Sequence, residues 1–405
     1  MMPMHRAPFT LLLPAFLLGV AGIACAKGDQ DLNLTVNATV MNDSNLFRLP
    51  DDANVPALTG HDSTSERIAI TSVGAGYKKS YSLQRFEADF SMVDYSYQNF
   101  SRLGFVAHNN NAAWLWSLTP RINGILSTTR RATLNSFSDY QNYNQSNQRT
   151  NVNTRFDGQC QIDGGWRALA GLSRSSQTNQ LLLVAEGDYS VNSADLGLQY
   201  AFASGSSITY RLKSARGSYL NRVLSSASAY DDHYSQLDSE LRLRWLLDGK
   251  TSVDISATHP SRTHPNYPQR DYSGLNPGVG LNWGISAKIS LNANLSREIS
   301  SYQTSSSNYS QTDRLAITPA WQVSPNALLR LSLDATQRDY LGNPGIISAT
   351  PQRSDSTRDA SLSFEWQPYP FITLSAALQN AHRESNQAGL DYNSNMATLS
   401  AQYTY

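Results

Sequence analysis

What most constrains this chain is a two-residue alternation of apolar and polar side chains, carried by paired segments that recur about every 40 residues. Such alternation marks a strand with two different faces. Leu237, Ser239, Leu241, Leu243 and Trp245 alternate with Gln236, Asp238, Glu240, Arg242 and Arg244. Leu329, Leu331, Leu333 and Ala335 alternate with Arg330, Ser332, Asp334 and Thr336, and the final segment alternates from Ala397 to Tyr405. No comparable stretch has helical spacing, so the chain reads as all-β.

Short turns with Gly, Asp, Pro or Ser chemistry are expected near residues 78–80, 119–121, 163–165, 204–206, 248–250, 284–287, 324–326 and 367–370. Longer polar stretches, such as residues 140–145 and 301–310, lie between them. Short turns on one side and long loops on the other are the layout of a transmembrane antiparallel up-and-down β-barrel of the outer-membrane kind. Eight short turns pair sixteen strands, and one more strand at each end makes about eighteen, with both termini on the periplasmic side. Propeller blades of similar period would hold four short strands rather than two long ones. All seven tryptophans (Trp114, Trp116, Trp166, Trp245, Trp283, Trp321 and Trp366) fall near a short turn. Most share the apolar face of their strand, as an interfacial aromatic girdle requires.

Composition narrows the alternatives. A mean hydropathy of −0.42 is too polar for a bundle of spanning helices. Lysine and arginine total 32, as do aspartate and glutamate, which removes the basic surface that nucleic-acid binding needs. Aromatic residues at 10% argue against disorder, and two cysteines exclude a disulfide scaffold. Residues 1–26 read as a secretory signal: His5 and Arg6, a leucine-rich core, then Ala24-Cys25-Ala26 for cleavage. Pro14 argues against a membrane anchor, and residues 22–24 lack the leucine usual before a lipidated cysteine. Residues 27–405 are then the barrel, with Cys160 its only cysteine.

Catalytic constellations are missing from this reading. There is no Gly-rich phosphate loop and no Gly-x-Ser-x-Gly elbow. The histidines fall in or beside expected loops, and none takes a clear outward strand position where an outer-wall lipase would carry one. His259 and His264 could approach a metal, but Pro260 and Pro265 break the backbone that would aim both rings. Asp231-Asp232-His233 reads as an acidic loop tip rather than a calcium site. No enzyme, cofactor or metal is expected.

The inner wall is more informative. Arg155, Arg167, Arg211, Lys213, Arg242, Arg244 and Arg330 are expected to face the lumen, together with Asp238, Glu240 and Asp334. A ring of one sign implies ion selectivity. Both signs together imply either a mutually braced wall or a path for a polar, weakly charged solute. The outer loops carry Tyr140, Tyr143, Tyr230 and Tyr234 beside amides, a pairing suited to stacking on sugar rings and accepting hydroxyls.

Residues 31–49 read DLNLTVNATVMNDSNLFRL, an alternating strand ending in Asp43-Ser44-Asn45-Leu46-Phe47-Arg48-Leu49. This run resembles the N-terminal signature of the exosortase-associated exopolysaccharide biosynthesis outer-membrane family, EpsL. Trp114-Leu115-Trp116 followed by Pro120 and the hairpin at residues 122–127 also resembles that family. The resemblance implies a place in the outer membrane and a role in making or exporting an extracellular polysaccharide. Polysaccharide, outer-membrane lipid and periplasmic or inner-membrane export components would be the partners, without nucleic acid. It transfers no residue roles. Read on their own, Asp43 and Asn45 favour a turn at the outer end of the first strand, with Leu46 and Phe47 packing at the rim. The function expected is a passive conduit for the polymer; a polymer-tethering barrel and a non-specific diffusion porin are the alternatives.

Overall fold

A computed structural model describes residues 31–138, 146–181, 187–222, 224, 229–345 and 351–405. The leader at residues 1–26 and the loop tyrosines Tyr140 and Tyr143 lie outside the described residues.

Alternation becomes strand almost everywhere it was read. The segments are β1 (Leu32–Asp43), β2 (Glu66–Tyr81), β3 (Gln84–Tyr97), β4 (Phe105–Thr119), β5 (Ile122–Leu134) and β6 (Gln148–Gln161). Next come β7 (Trp166–Asn179), β8 (Tyr189–Ala201), β9 (Ser207–Tyr219), β10 (His233–Leu246), β11 (Thr251–Thr263), β12 (Tyr272–Ser273) and β13 (Asn276–Trp283). The last are β14 (Ile289–Ser301), β15 (Tyr309–Ser324), β16 (Ala327–Leu341), β17 (Ser354–Tyr369), β18 (Ile372–Ser385) and β19 (Tyr392–Thr404). Both β12 and β13 pair with β11, so they are two pieces of one stave, and nineteen segments make an eighteen-stave sheet. The sheet closes where β1 meets β19, from Thr35 opposite Thr404 to Asp43 opposite Met396. Closure leaves no edge to desolvate, the condition for crossing a bilayer with strands. Among the described residues, helix is limited to α1 (Val55–Thr59) and two single 3-10 turns, Ser101–Leu103 and Pro268–Arg270.

The short turns sit near the expected residues, with two shifts. β17 runs on to Tyr369, so the turn expected at 367–370 falls at Pro370 and Phe371. Residues 78–80 are strand, and the first hairpin turns at Ser82 and Leu83, with Ser82 left-handed at φ 54°. The alternation does not stop at the lysines, because Tyr77 and Tyr81 keep their outward places on either side of Lys79.

Large apolar side chains are exposed on one face of every stave, for example Leu172, Leu196, Leu295, Leu378 and Leu399. That face is the outer wall. Six tryptophans stand on it near the short turns and are at least 40% exposed. Trp116 instead lies flat across β5 and β6 and stacks on Phe156, with centroids 5.4 Å apart. Gly124 makes room for it, since a Cβ there would come within 2.6 Å of the indole.

On the inner side, the loops that follow β1, β3 and β5 fold together. Phe47 and Phe100 are fully buried, and Phe47 meets Phe100 at 4.7 Å and Phe137 at 4.8 Å, edge to face. Leu46, Leu49, Leu103 and the inward Ile68 complete this core. Phe47 was expected at the rim; it is at the centre of an apolar plug seated on the inner wall of β1–β3, because Met41, Ile68 and Tyr97 supply an apolar patch there.

One carboxylate ties the second loop down. Glu66, 1% exposed, accepts backbone N–H groups of Arg67 (2.7 Å), Gln98 (3.1 Å), Asn99 (3.1 Å) and Phe100 (2.7 Å). Removing the acceptor leaves the buried Phe100 N–H and the part-buried Asn99 N–H unmet, at roughly 3 kcal/mol. Glu66→Ala should therefore raise amide exchange at residues 98–100 by about 100-fold while leaving the strands protected. Unaltered exchange in that loop would show that the carboxylate does not hold it.

Candidate functional site

Parity places every expected lumen residue on the face opposite the exposed leucines. The densest group spans β6 to β10. Asp195, its side chain 1% exposed, accepts Arg155 at 2.9 Å and Arg211 at 2.9 Å. Arg155 also bonds Asp157 at 2.6 Å through two nitrogens. β7 lies between these strands, and it is crossed because residue 171 is glycine. A Cβ there would sit 2.6 Å from the Asp195 carboxylate and 2.7 Å from the Arg155 guanidinium.

The pairing continues round the wall. Lys213 stands 3.8 Å from Asp238, which also accepts Gln236 at 2.7 Å. Arg242 meets Glu240 at 2.7 Å, and Arg167 donates to Gln199 at 3.3 Å. Farther round, Asp334 pairs with Arg314, which the sequence reading did not single out, and accepts Thr336 at 3.0 Å. Arg244 and Arg330 share this inward face but belong to neither group. The arrangement gives hydrogen-bonding capacity with opposite charges side by side. Individual exposed pairs of this kind contribute little stability.

Above this wall, the loops after β9, β11, β14 and β16 make a second, polar cluster. Arg270 is fully buried and donates to the backbone carbonyls of Ala229 (3.2 Å), Thr304 (2.7 Å) and Ser307 (2.8 Å). Guanidinium groups stack on tyrosines throughout: Arg222 on Tyr219 at 3.7 Å, Arg262 on Tyr234 at 3.7 Å, Arg353 on Tyr340 at 4.7 Å. Tyr230 lies against Arg222 and Arg270, and Tyr234 is only 6% exposed. These two rings are thus engaged by arginines within the mouth. Sequence parity could have identified Tyr234 and Arg262 as inward, but not that they meet.

His264 is buried in the same cluster, bonded to Gln303 at 2.9 Å and close to Asp271 at 3.3 Å. Burial holds its pKa below the ordinary imidazole value; Arg262 acts in the same direction, and Asp271 and Asp231 oppose. The docked loop therefore binds fewer protons than the undocked loop once pH falls below about 6.5. Stability of the cluster is complete above that value and declines as pH drops from it towards the docked value. Amide exchange in residues 264–271 should be faster at pH 5 than at pH 8 after correction for intrinsic rates. His264→Gln should abolish that difference; persistence of it in the variant would place the sensor elsewhere.

His259 and His264 are not brought together: His259 faces outward on β11, while His264 lies in the mouth. His108 and His382 also stand outward on strands, against the expectation that histidines keep to loops, because the polar upper end of each strand accommodates them. His259 faces Ser239 across the ladder, but the Ser239 hydroxyl is bonded to Tyr210 at 2.8 Å, and no hydrogen bond joins it to His259 among the described residues. Asp231 is held by the backbone N–H of Asn266 at 2.7 Å and its amide at 3.1 Å, so the acidic tip works as a staple between loops.

No protein-family model matches the sequence, and no curated protein matches it. Among solved structures it is similar to the outer membrane protein OpdK of Pseudomonas aeruginosa, with 11% identity and a TM-score of 0.53 over 93% of this chain and 100% of that one. OccK3 (OpdO) of the same organism is similar at 12% identity and a TM-score of 0.52, over 93% and 96%. At such identities the likeness is one of fold. The closed eighteen-stave barrel with an apolar outer wall and a charged inner one defines an outer-membrane β-barrel. Its place is the bacterial outer membrane, as for the outer membrane protein OpdK that shares its fold.

Proposed function

We propose that this barrel is a passive conduit for a hydrophilic, weakly charged solute, and that the solute is an extracellular polysaccharide on its way out of the cell. The observation that carries the reading is the neutralised inner wall, where Asp195 joins Arg155 and Arg211 and Asp238 meets Lys213. Such a wall offers hydrogen bonds to hydroxyl groups without the net field that would trap an ion. The Asp43–Leu49 run supports the polysaccharide assignment by its resemblance to the EpsL family. A passive conduit supplies no driving force of its own, so in this reading export components at the inner membrane or in the periplasm supply it.

In this reading the plug and the polar cluster stand at the loop end of the lumen, and the mouth loops shift to admit a polymer strand. A second reading, a diffusion channel for small solutes, is supported by the fold shared with OpdK, which has been solved with vanillate. The two separate in a strain lacking this chain, with periplasmic, surface-bound and released polysaccharide measured apart. Periplasmic accumulation is expected for the conduit. Normal export beside reduced uptake of small solutes would instead establish the diffusion channel.

A further inference from the structure

The two ends of the outer wall differ. Near the short turns it carries aromatic residues, including Trp245, Trp283, Trp321 and Trp366. Near the loops it carries arginines: Arg67, Arg174, Arg216, Arg297 and Arg358 take outward positions at the upper ends of β2, β7, β9, β14 and β17. Arg297 is held by Asp313 through two bonds, at 2.6 and 2.8 Å. Among the described residues, neither Arg67 nor Arg358 has an acidic partner.

These two arginines flank a groove. It runs on the outer face from β17 across β18, β19 and β1 to β2, on the two sides of the closing seam. Its lower part, about 450 Å3, has Ala38, Ala69, Ala376 and Ala401 as floor and Phe364 and Trp366 as wall. Its upper part, about 540 Å3, continues over Ala360 and Ala397 to Asn42, Asn380 and Asn395. The amides at the top are linked, Asn380 donating to Asn393 and Asn395 at 2.9 Å each, and Arg67 donating to Asn42 at 3.1 Å. His382 faces Arg358 across the ladder, and Glu384 beside it is the nearby acid, at 3.3 Å.

We infer that this groove binds a phosphate-bearing, multiply acylated glycolipid of the outer leaflet. Acyl chains lie along the alanine floor between the aromatic wall and Leu399. The sugar rests on the asparagine amides, and phosphates pair with Arg358 on one side and Arg67 on the other, as guanidinium forks do. Arg67 is in register with Leu362, so Arg358 lies four strands across and four residues along from it, roughly 23 Å over the sheet. That span suits a wide headgroup with separated phosphates and exceeds what a single phosphodiester headgroup bridges. An apolar belt alone would treat all lipids alike; arginines clustered at its upper end select charge on that side, whereas Lys79 at the lower end is paired with Asp31.

The test is native mass spectrometry of the full-length barrel in detergent with three probes: bisphosphorylated hexa-acyl lipid A, its dephosphorylated form, and phosphatidylglycerol. Retention of one bisphosphorylated lipid is expected, at about tenfold higher occupancy than either other probe. The double variant Arg67→Ala/Arg358→Ala should lose about tenfold in occupancy, and Ala376→Phe/Ala397→Phe, which fills the groove, should lose as much. Folding of each variant is read from heat-modifiable gel migration. Equal occupancy by the dephosphorylated lipid or by phosphatidylglycerol would overturn the site. So would wild-type occupancy in the folded arginine variant, which decides the matter even where the groove-filling variant does not fold.

Discussion

Phe47→Ala is expected to release the apolar plug from the inner wall and raise single-channel conductance in planar bilayers. The side chain is fully buried between Phe100 and Phe137. Emptying such a position costs about 3–5 kcal/mol. The barrel staves do not depend on it, so the cost falls on docking of the loops rather than on the sheet. A shift of that size moves the docked-to-undocked ratio by a factor of at least about 100. Conductance and thermal unfolding of the barrel should be measured together. Higher conductance with an unchanged unfolding temperature is the expected pair. Wild-type conductance from a folded variant would mean that the plug does not restrict the lumen.

Asp195→Asn is expected to turn a nearly unselective lumen towards anions. The carboxylate answers both Arg155 and Arg211, while Arg155 keeps Asp157. Its loss therefore leaves about one positive charge without an answer. A unit charge about 7 Å from a passing ion in a water-like medium is worth about 0.6 kcal/mol, close to a threefold change in permeability ratio. Reversal potentials in a potassium chloride gradient measure this directly. Arg211→Gln should move the ratio the opposite way, and the double variant should return near the starting value. A reversal potential that ignores all three substitutions would remove these residues from the permeation path, and with them the support for the conduit.

The stave pattern was legible because lipid on one side and water on the other force the side chains of each strand to alternate. The same alternation assigned Arg155, Arg211 and Asp238 to the lumen before any coordinates. It could not show Asp195 as the residue that joins two arginines. That role depends on Gly171 lying between β6 and β8, and a missing side chain has meaning only once its neighbours are known. The mouth was illegible for a similar reason. Phe47, Phe100 and Phe137 stand in three separate polar loops, and nothing local marks them as partners. Tyr230 and Tyr234 were read as free rings, whereas the arginines that cover them come partly from the loop and strand of residues 262–270. Turn chemistry at residues 163–165 and 248–250 was legible directly, since those glycines and aspartates act on their own backbone.

The seam between β1 and β19 ties the plug to the far end of the chain. Asp43 accepts Ser394 at 2.6 Å, Asn45 donates to the Asn393 carbonyl at 3.0 Å, and Ser44 donates to Asn395 at 2.9 Å. Asp43 also holds Arg48, whose left-handed backbone at φ 55° turns the loop inward. The first loop is therefore completed by residues made last. A nascent barrel that has not received its C-terminal strand presents two bare strand edges to the membrane, each group on them costing several kcal/mol. It also lacks the atoms against which its own stopper is fastened. Sealing the cylinder and corking it are thus one event, set by the docking of β19 beside β1, and a barrel without β19 in place remains uncorked as well as unsealed.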